Sequence, residues 1–138
     1  YVICGVGTGG HISSCFELKK IWPNIKVIAI QPMASPIFTE GVTSAKPHKI
    51  QGISAGFIPD NYNAEVVDDV LSVSNEEAYD MVRKSAREEG LLVGVSSGAT
   101  LSATEQIVKR DPKARILCFT YDSGERYLSI DDLWNIQQ

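Results

Sequence analysis

Apolar residues occur in short runs that alternate with longer amphipathic stretches along most of the chain. Runs typical of strands lie at residues 1–4, 25–30, 67–73, 91–95 and 115–120. Helices are predicted over 11–21, from the capping box at 74–77 to Gly90, and over 98–109, with a short helix near 35–39 inside the long loop 32–64. This order predicts an α/β fold whose mostly parallel sheet carries helices on both faces.

The stretch Gly5-Val6-Gly7-Thr8-Gly9-Gly10 joins the first predicted strand to the first predicted helix. Glycines allow a sharp turn in which backbone N–H groups converge at the positive end of the helix dipole, so the stretch predicts a phosphate site. It also satisfies the dinucleotide pattern, which expects an acidic residue at the end of the second strand. Gln31 stands there, which disfavours a dinucleotide but leaves it as an alternative.

Three polar segments follow predicted strands. The glycine-rich stretch follows 1–4, Ser96 follows 91–95, and Asp122 and Ser123 follow 115–120. Because the carboxyl ends of parallel strands meet at one edge of a sheet, the three segments predict a single ligand site.

Four segments together resemble the cysteine synthase (O-acetylserine sulfhydrylase) family of fold-type II pyridoxal-phosphate (PLP) enzymes. They are the glycine-rich stretch, residues 47–59, residues 90–99 and the segment Asp122-Ser123-Gly124-Glu125-Arg126-Tyr127-Leu128-Ser129. They stand in the family's order and spacing, and the likeness covers essentially all 138 residues. It implies that residues 1–138 form the PLP-phosphate-binding segment in the C-terminal domain of a two-domain enzyme.

The resemblance also implies parts that this sequence does not contain. In the family, the Schiff-base lysine and a Thr/Ser-Gly-Asn substrate loop lie in the N-terminal half. No lysine of this chain carries the family's lysine motif. We therefore expect the catalytic lysine outside this chain, and we expect the chain to be part of a longer enzyme and inactive alone.

The resemblance assigns the PLP phosphate to Gly7, Thr8, Gly9 and Gly10. His11 follows, where the family usually has a Thr whose hydroxyl also reaches the phosphate. Its ring either donates a hydrogen bond to the phosphate or only caps the turn.

Ser96 matches the family residue that hydrogen-bonds the pyridine nitrogen of PLP. A neutral hydroxyl leaves that nitrogen largely unprotonated, which suits elimination and addition at the β-carbon. The structural alternative is that Ser96 and Ser97 cap the helix predicted to begin near Gly98, and the two roles are compatible.

The family loop that covers the cofactor and moves on substrate binding corresponds to Gln51, Gly52, Ser54 and Ala55. Ser54 stands where the family more often has Gly, and Asp60 follows the loop. Either residue could change the accepted nucleophile from sulfide to water or a thiol amino acid, although a tolerated small residue and a solvated turn residue are the favoured interpretation. Tyr121 stands where relatives often have Pro, and it either lines the cofactor or covers the sheet edge.

The reaction implied by the resemblance is β-replacement, in which O-acetylserine loses acetate and sulfide adds to the aminoacrylate intermediate to give cysteine. One alternative runs the same half-reactions on cysteine or serine, releasing hydrogen sulfide or forming cystathionine or lanthionine. Another is a non-catalytic PLP-binding or partner-binding module. The implied partners are an amino-acid substrate with sulfide or a thiol, a second copy in a homodimer, and the C-terminal tail of serine acetyltransferase.

Composition narrows the remaining function classes. A net charge of −4 without a basic cluster argues against nucleic-acid binding. No run of 18 apolar residues and no signal-peptide pattern occurs, so neither membrane insertion nor secretion is indicated. The three cysteines (Cys4, Cys15 and Cys118) are scattered, which predicts reduced core thiols in a cytoplasmic protein and no metal site.

Overall fold

The computed structural model describes residues 1–134 as an α/β fold around a three-stranded parallel sheet. The strands are β1 (Val2–Gly5), β2 (Val27–Pro32) and β3 (Asp69–Val73), and the helices are α1 (Gly10–Ile21), α2 (Ile37–Glu40), α3 (Asn75–Lys84), α4 (Val95–Arg110) and α5 (Asp131–Trp134). Short 3-10 turns lie at Val42–Ser44, Ala64–Val66 and Gly124–Tyr127, and a π-helical turn at Ser85–Glu89 follows α3. The predicted fold class is confirmed.

Alternate residues of β1 and β2 enter cores on opposite faces of the sheet. One core contains Val2, Cys4, Val27 and Ala29 with Ile12 and Cys15 of α1. The other contains Ile3, Ile28 and Ile30 with Ala78 and Val82 of α3 and Ala99 and Ala103 of α4. Helices therefore cover both faces, which explains why the sequence of β2 is apolar at nearly every position.

The start of α3 is a capping box, as predicted. Ser74 Oγ accepts a hydrogen bond from Glu77 N–H at 3.1 Å, and Ser74 N–H donates to the Glu77 carboxylate at 2.7 Å. At the far end, Gly90 ends the π-helical turn in a left-handed conformation with φ of 68°. Both boundaries follow from local chemistry that the sequence displays.

The strand predicted over 91–95 is wrong. Val93 forms a single antiparallel bridge with Ser123, and α4 begins at Val95, three residues before the predicted start of that helix. Leu91 and Leu92 are 55% and 40% exposed, so the apolar run does not represent a buried strand. Ser96 and Ser97 consequently lie inside the first turn of α4 rather than ahead of it.

The strand predicted over 115–120 is reduced to one parallel bridge between Leu117 and Val2. Ile3 N–H donates to Leu117 C=O at 2.9 Å, so the next bond that β1 would donate in a parallel ladder joins Gly5 N–H to Phe119 C=O. Gly5 N–H instead donates to Tyr121 Oη at 2.8 Å, and Phe119 C=O accepts from Thr100 Oγ1 at 2.8 Å. These side chains end the pairing two residues after the bridge.

The three thiols are free, and Cys4 and Cys15 are buried, as expected of reduced core residues. Cys118 is only partly buried. Within residues 1–134, no helix combines the length and apolar character that crossing a bilayer requires.

Candidate cofactor site

The glycine loop, residues 5–10, leaves β1 and turns directly into α1. Gly9 is the N-cap of α1, and no capping side chain bonds the first turn of this helix within the described residues. The nearest hydroxyl, Thr8 Oγ1, accepts only a long bond of 3.5 Å from Gly10 N–H. The first turn of α1 also lacks acidic residues, so its N–H groups and positive dipole end are available to an anion.

Close backbone contacts explain why the loop consists of glycines. Gly9 has a φ of 84°, and a Cβ atom there would lie 2.8 Å from the backbone nitrogen of Tyr62. A Cβ atom on Gly7 would lie 2.9 Å from the carbonyl oxygen of Gly52. The loop therefore packs between two other backbone segments at distances that no side chain permits.

The beginning of α4 supplies a second polar group to the site, Ser96. The N-cap of this helix is Gly94, without a capping side chain, so the predicted capping role of Ser96 and Ser97 is not observed. Ser97 Oγ accepts a hydrogen bond from Tyr121 N–H at 2.9 Å and fixes that loop to the helix. Ser96 Oγ faces Gly52, since a Cβ atom on Gly52 would lie 3.9 Å from it.

One cavity of about 300 Å³ brings most of the predicted site residues together. Its lining contains the predicted residues Gly7, Thr8, His11, Gln51, Gly52 and Ser96, together with Gly5, Ile53, Tyr121, Asp122 and Tyr127. A neighbouring groove of about 580 Å³ contains the predicted residues Ser54 and Ala55. It shares four lining residues with the cavity: Gly7, Gln51, Gly52 and Ile53. Gly9 and Gly10 shape the loop without lining either space.

Neighbouring side chains hold the ring of His11 next to the glycine loop. It packs edge-on against Phe119 with ring centroids 4.4 Å apart, and its Nδ1 lies 3.4 Å from Tyr121 Oη. Its Nε2 lies 4.0 Å from Cys4 Sγ. Burial lowers the pKa of His11 below its ordinary value of 6.5, so the neutral ring is favoured.

Three aromatic or acidic residues complete the lining of the cavity. Tyr121 Oη accepts from Gly5 N–H at 2.8 Å, and burial raises the pKa of Tyr121 to about 12. Tyr127 Oη donates to Asp122 Oδ2 at 2.6 Å. The sequence places Asp122 at this edge of the sheet and gives Tyr121 a role either in lining the cofactor or in covering the edge, whereas it does not single out Tyr127 for the site.

The predicted substrate loop is distorted at Ser54. With φ of 51°, Ser54 is the single non-glycine residue of positive φ in residues 1–134, and its Oγ is buried without a hydrogen-bond partner there. Ser54 N–H donates to Val6 C=O at 2.9 Å, which ties this loop to the glycine loop. Ile50 N–H donates to His48 Nδ1 at 3.2 Å, so His48 Nε2 carries the proton that bonds Ser54 C=O at 3.0 Å.

Comparison with known families decides the class of this site. The family model described as "Pyridoxal-phosphate dependent enzyme" matches residues 1–120. The chain belongs to this family. Its cofactor is PLP, and the resemblance drawn from the four sequence segments is confirmed.

Individual relatives are similar over nearly the whole chain. A cysteine synthase of Staphylococcus aureus (strain Mu50) is 46% identical over 129 residues, which are 92% of this chain and 41% of that protein. The crystal structure of cysteine synthase from Entamoeba histolytica matches with a TM-score of 0.87 and 34% identity, covering 99% of this chain and 41% of that one. A hydrogen sulfide-producing enzyme of Fusobacterium nucleatum matches with a TM-score of 0.88 and 34% identity over the same shares of the two chains. The chain therefore spans about two fifths of the length of these relatives.

The cavity has chemical features that fit PLP. The open first turn of α1 suits the phosphate, and Ser96 provides a hydroxyl to the same cavity. Asp122 lines the same cavity, and its Oδ1 is buried against Gly94 without a hydrogen-bond partner among the described residues. A volume of about 300 Å³ lies at the lower end of the range for small-molecule sites, roughly 300–1,000 Å³. Bound there, PLP would supply an electron sink for charge developing at the α-carbon of an amino acid.

Proposed function

We propose that the natural full-length protein catalyses PLP-dependent β-replacement, converting O-acetylserine and sulfide to cysteine and acetate. The observation that carries the proposal is the single cavity that is lined both by residues at the uncapped start of α1 and by Ser96. The 46% identity to a cysteine synthase supports the substrate assignment.

In this proposal, Gly7, Thr8, Gly9 and Gly10 hold the cofactor phosphate through backbone N–H groups. His11, at the same helix start, donates a ring N–H to the phosphate. Burial lowers the pKa of His11, whereas a phosphate dianion beside the ring would raise it by favouring the charged imidazolium. Ser96 orients the pyridine ring by hydrogen-bonding its nitrogen.

The lysine that carries the cofactor lies outside this chain in the proposal. No lysine lines the cavity, and the lysine of the neighbouring groove, Lys46, stands outside any family lysine motif. The remaining three fifths of the relatives' length leave room for the missing residue. Residues 1–138 then act as the cofactor-binding half of the enzyme.

The direct test uses the purified natural full-length protein. It should be yellow, lose that colour on borohydride treatment, and release cysteine from O-acetylserine and sulfide. The 138-residue chain expressed alone should stay colourless with added PLP. A stable borohydride-sensitive chromophore on the isolated chain would contradict the placement of the lysine.

Ser96→Ala tests the position of the cofactor ring. Loss of one neutral hydrogen bond should weaken PLP binding roughly two- to tenfold and leave unfolding by urea nearly unchanged. The matched control is Ser97→Ala, which removes the bond to Tyr121 N–H and should lower stability more than cofactor affinity. Equal effects of the two variants on PLP affinity would contradict the role of Ser96.

A second candidate is sulfide release from cysteine. The likeness to the hydrogen sulfide-producing enzyme at 34% identity favours it, and Ser54 supplies a hydroxyl beside the cavity. Parallel assays with O-acetylserine plus sulfide and with cysteine alone separate the two reactions by their kcat/KM values. A protein that binds PLP and turns over neither substrate would instead be a binding module.

The proposal extends to assembly and location. By the family likeness we propose a cytoplasmic homodimer whose active-site cleft accepts the C-terminal tail of serine acetyltransferase. Sedimentation of the full-length protein should give the mass of a dimer. Titration with a peptide of that tail should inhibit turnover of O-acetylserine competitively.

A further inference from the structure

Two residues at which the chain departs from the family pattern contact each other. His11 stands where the family usually has Thr, and Tyr121 stands where relatives often have Pro. The two residues are 110 positions apart in sequence, yet Tyr121 Oη lies 3.4 Å from His11 Nδ1. Both residues line the cavity together with Gly7 and Thr8 of the glycine loop. The two departures therefore belong to one arrangement at the start of α1.

The hydroxyl of Tyr121 is fixed beside the glycine loop. It accepts a hydrogen bond from Gly5 N–H at 2.8 Å. The ring stacks on Phe119 with the ring planes 23° apart, and Tyr121 N–H donates to Ser97 Oγ at 2.9 Å. Hydroxyl, ring and backbone are thus each held, while the residue remains 40% exposed and is not enclosed in the core.

The proton of the Tyr121 hydroxyl has only a weak partner within the protein. Burial raises the pKa of Tyr121 to about 12, so the phenol keeps its proton near neutral pH. Within residues 1–134, the acceptor in contact with it is His11 Nδ1, at the long distance of 3.4 Å. Tyr127, the other tyrosine of the cavity, instead donates its proton to Asp122 Oδ2 at 2.6 Å. Of the two phenols, that of Tyr121 is the one available to a ligand.

An anion at the start of α1 would remove even this weak acceptor. A phosphate dianion favours the imidazolium form of His11, in which both ring nitrogens carry protons and neither accepts a hydrogen bond. The Tyr121 proton then needs another acceptor. A phosphate offers three strong acceptor oxygens, more than one donor can occupy.

We propose that Tyr121 O–H donates a hydrogen bond to the cofactor phosphate, in addition to the backbone N–H groups of the glycine loop and the ring of His11. This inference rests on the proposed function of the cavity. No covalent bond forms or breaks, and the proton stays on the phenol. The hydroxyl that the family supplies from the position of His11 comes in this chain from Tyr121, on the far side of the sequence.

The test compares two ligands of the natural full-length apoprotein, 4-deoxypyridoxine 5′-phosphate and 4-deoxypyridoxine. They differ only in the phosphate, and neither has the aldehyde that would react with a lysine. The variant Tyr121→Phe keeps the ring against Phe119 and removes the hydroxyl. The preference for the phosphorylated ligand, measured by titration calorimetry, should fall roughly 10- to 100-fold, the size expected for a hydrogen bond to a charged group.

The matched control is Tyr127→Phe, which removes a hydroxyl from the same cavity. Its proton is already bonded to Asp122, so this variant should lower stability in urea and leave the preference for the phosphorylated ligand nearly unchanged. If Tyr121→Phe weakened both ligands equally, Tyr121 would only support the glycine loop through Gly5, and the inference would be overturned.

A second variant tests the exchange of positions directly. Adding His11→Thr to Tyr121→Phe restores a hydroxyl at the family's position and should recover part of the lost preference for the phosphorylated ligand. A preference that stays low would overturn the idea that the two positions supply the same hydroxyl. Failure of the parent apoprotein to bind the phosphorylated ligand at all would overturn the proposed function instead.

Discussion

Two loops border the cavity, and they achieve left-handed backbone conformations differently. The glycine loop, residues 5–10, places Gly9 at its left-handed position, where φ is 84°. The second loop, residues 50–59, places Ser54 at one of its left-handed positions, where φ is 51°, between Gly52 and Gly56. A single bond from Ser54 N–H to Val6 C=O joins the two loops.

The difference shows which loop carries strain. Gly9 adopts its conformation without a steric penalty, so the glycine loop can be rigid and relaxed. Ser54 holds a conformation that costs a non-glycine residue energy, and its hydroxyl is also buried without a partner. Strain that persists near a site indicates a function for the second loop beyond packing, consistent with a loop that rearranges when substrate binds.

The largest expected effect comes from Gly9→Ala, which imposes on the glycine loop the strain that the second loop already carries. Unfavourable φ and a Cβ atom 2.8 Å from the backbone nitrogen of Tyr62 should lower the free energy of unfolding by about 2–4 kcal/mol. Gly10→Ala is the control, because the nearest atom to its Cβ would be Thr8 Oγ1 at 3.7 Å. Urea unfolding should show little change for the control, and equal losses would contradict the geometry of the turn.

Removing the backbone strain at Ser54 should raise the free energy of unfolding, by less than Gly9→Ala lowers it. Ser54→Gly should raise the free energy of unfolding by about 1 kcal/mol, since glycine adopts positive φ freely. Ser54→Ala keeps the backbone strain but removes the buried hydroxyl. Comparing its free energy of unfolding with that of Ser54→Gly therefore separates the contribution of the strain from that of the hydroxyl. A decrease in stability for Ser54→Gly in urea unfolding would mean that the hydroxyl has a bonding partner.

The smallest effect concerns His11, whose ring closes the glycine loop. Burial lowers the pKa of His11 in the folded chain, so the folded state resists protonation more than the unfolded state does. Its contribution to stability is complete above pH 6.5 and is lost as the pH falls through the lowered folded value.

The measurement is thermal unfolding of His11→Gln and of the parent between pH 5 and 8. The variant should lose less stability at acidic pH than the parent does. Since the chain has one other histidine, His48, the variant isolates a single ring. Added inorganic phosphate should reduce the difference if the charged ring binds an anion, and identical profiles with and without His11 would contradict the burial effect.

The sequence predicts those parts of the fold that depend on local signals. The glycines of the loop, the continuous apolar character of β2 and the capping box at Ser74 each determine their own element. The convergence of Ser96 with the glycine loop was also predictable, because both were expected at one edge of a parallel sheet. The structure brings them together even though neither Ser96 nor Tyr121 follows a true strand.

The parts that were not predicted depend on long-range partners. Residues 91–95 are as apolar as a buried strand. Their exposure depends on which segments pack against them, and Leu91 remains exposed to solvent. The roles of Asp122 and Tyr127 depend on the absence of a side chain at Gly94, which is far away in sequence. No local sequence pattern shows that there is space for a carboxylate beside Gly94. The sequence of the turn therefore does not distinguish the buried Asp122 from a solvent-exposed aspartate.

The pairing of β1 with the segment around Leu117 ends after one bridge, which affects how the site can change during evolution. One ladder bond is replaced by two side-chain bonds, in which Tyr121 Oη accepts from Gly5 N–H and Thr100 Oγ1 donates to Phe119 C=O. The shape of the cavity at this sheet edge therefore depends on the Tyr121 side chain, which lines it, and not only on the hydrogen-bond register of the sheet. Tyr121 belongs to none of β1, β2 and β3, so a substitution there can change the cavity while the strands keep their pairing, and this part of the site can evolve independently of the sheet.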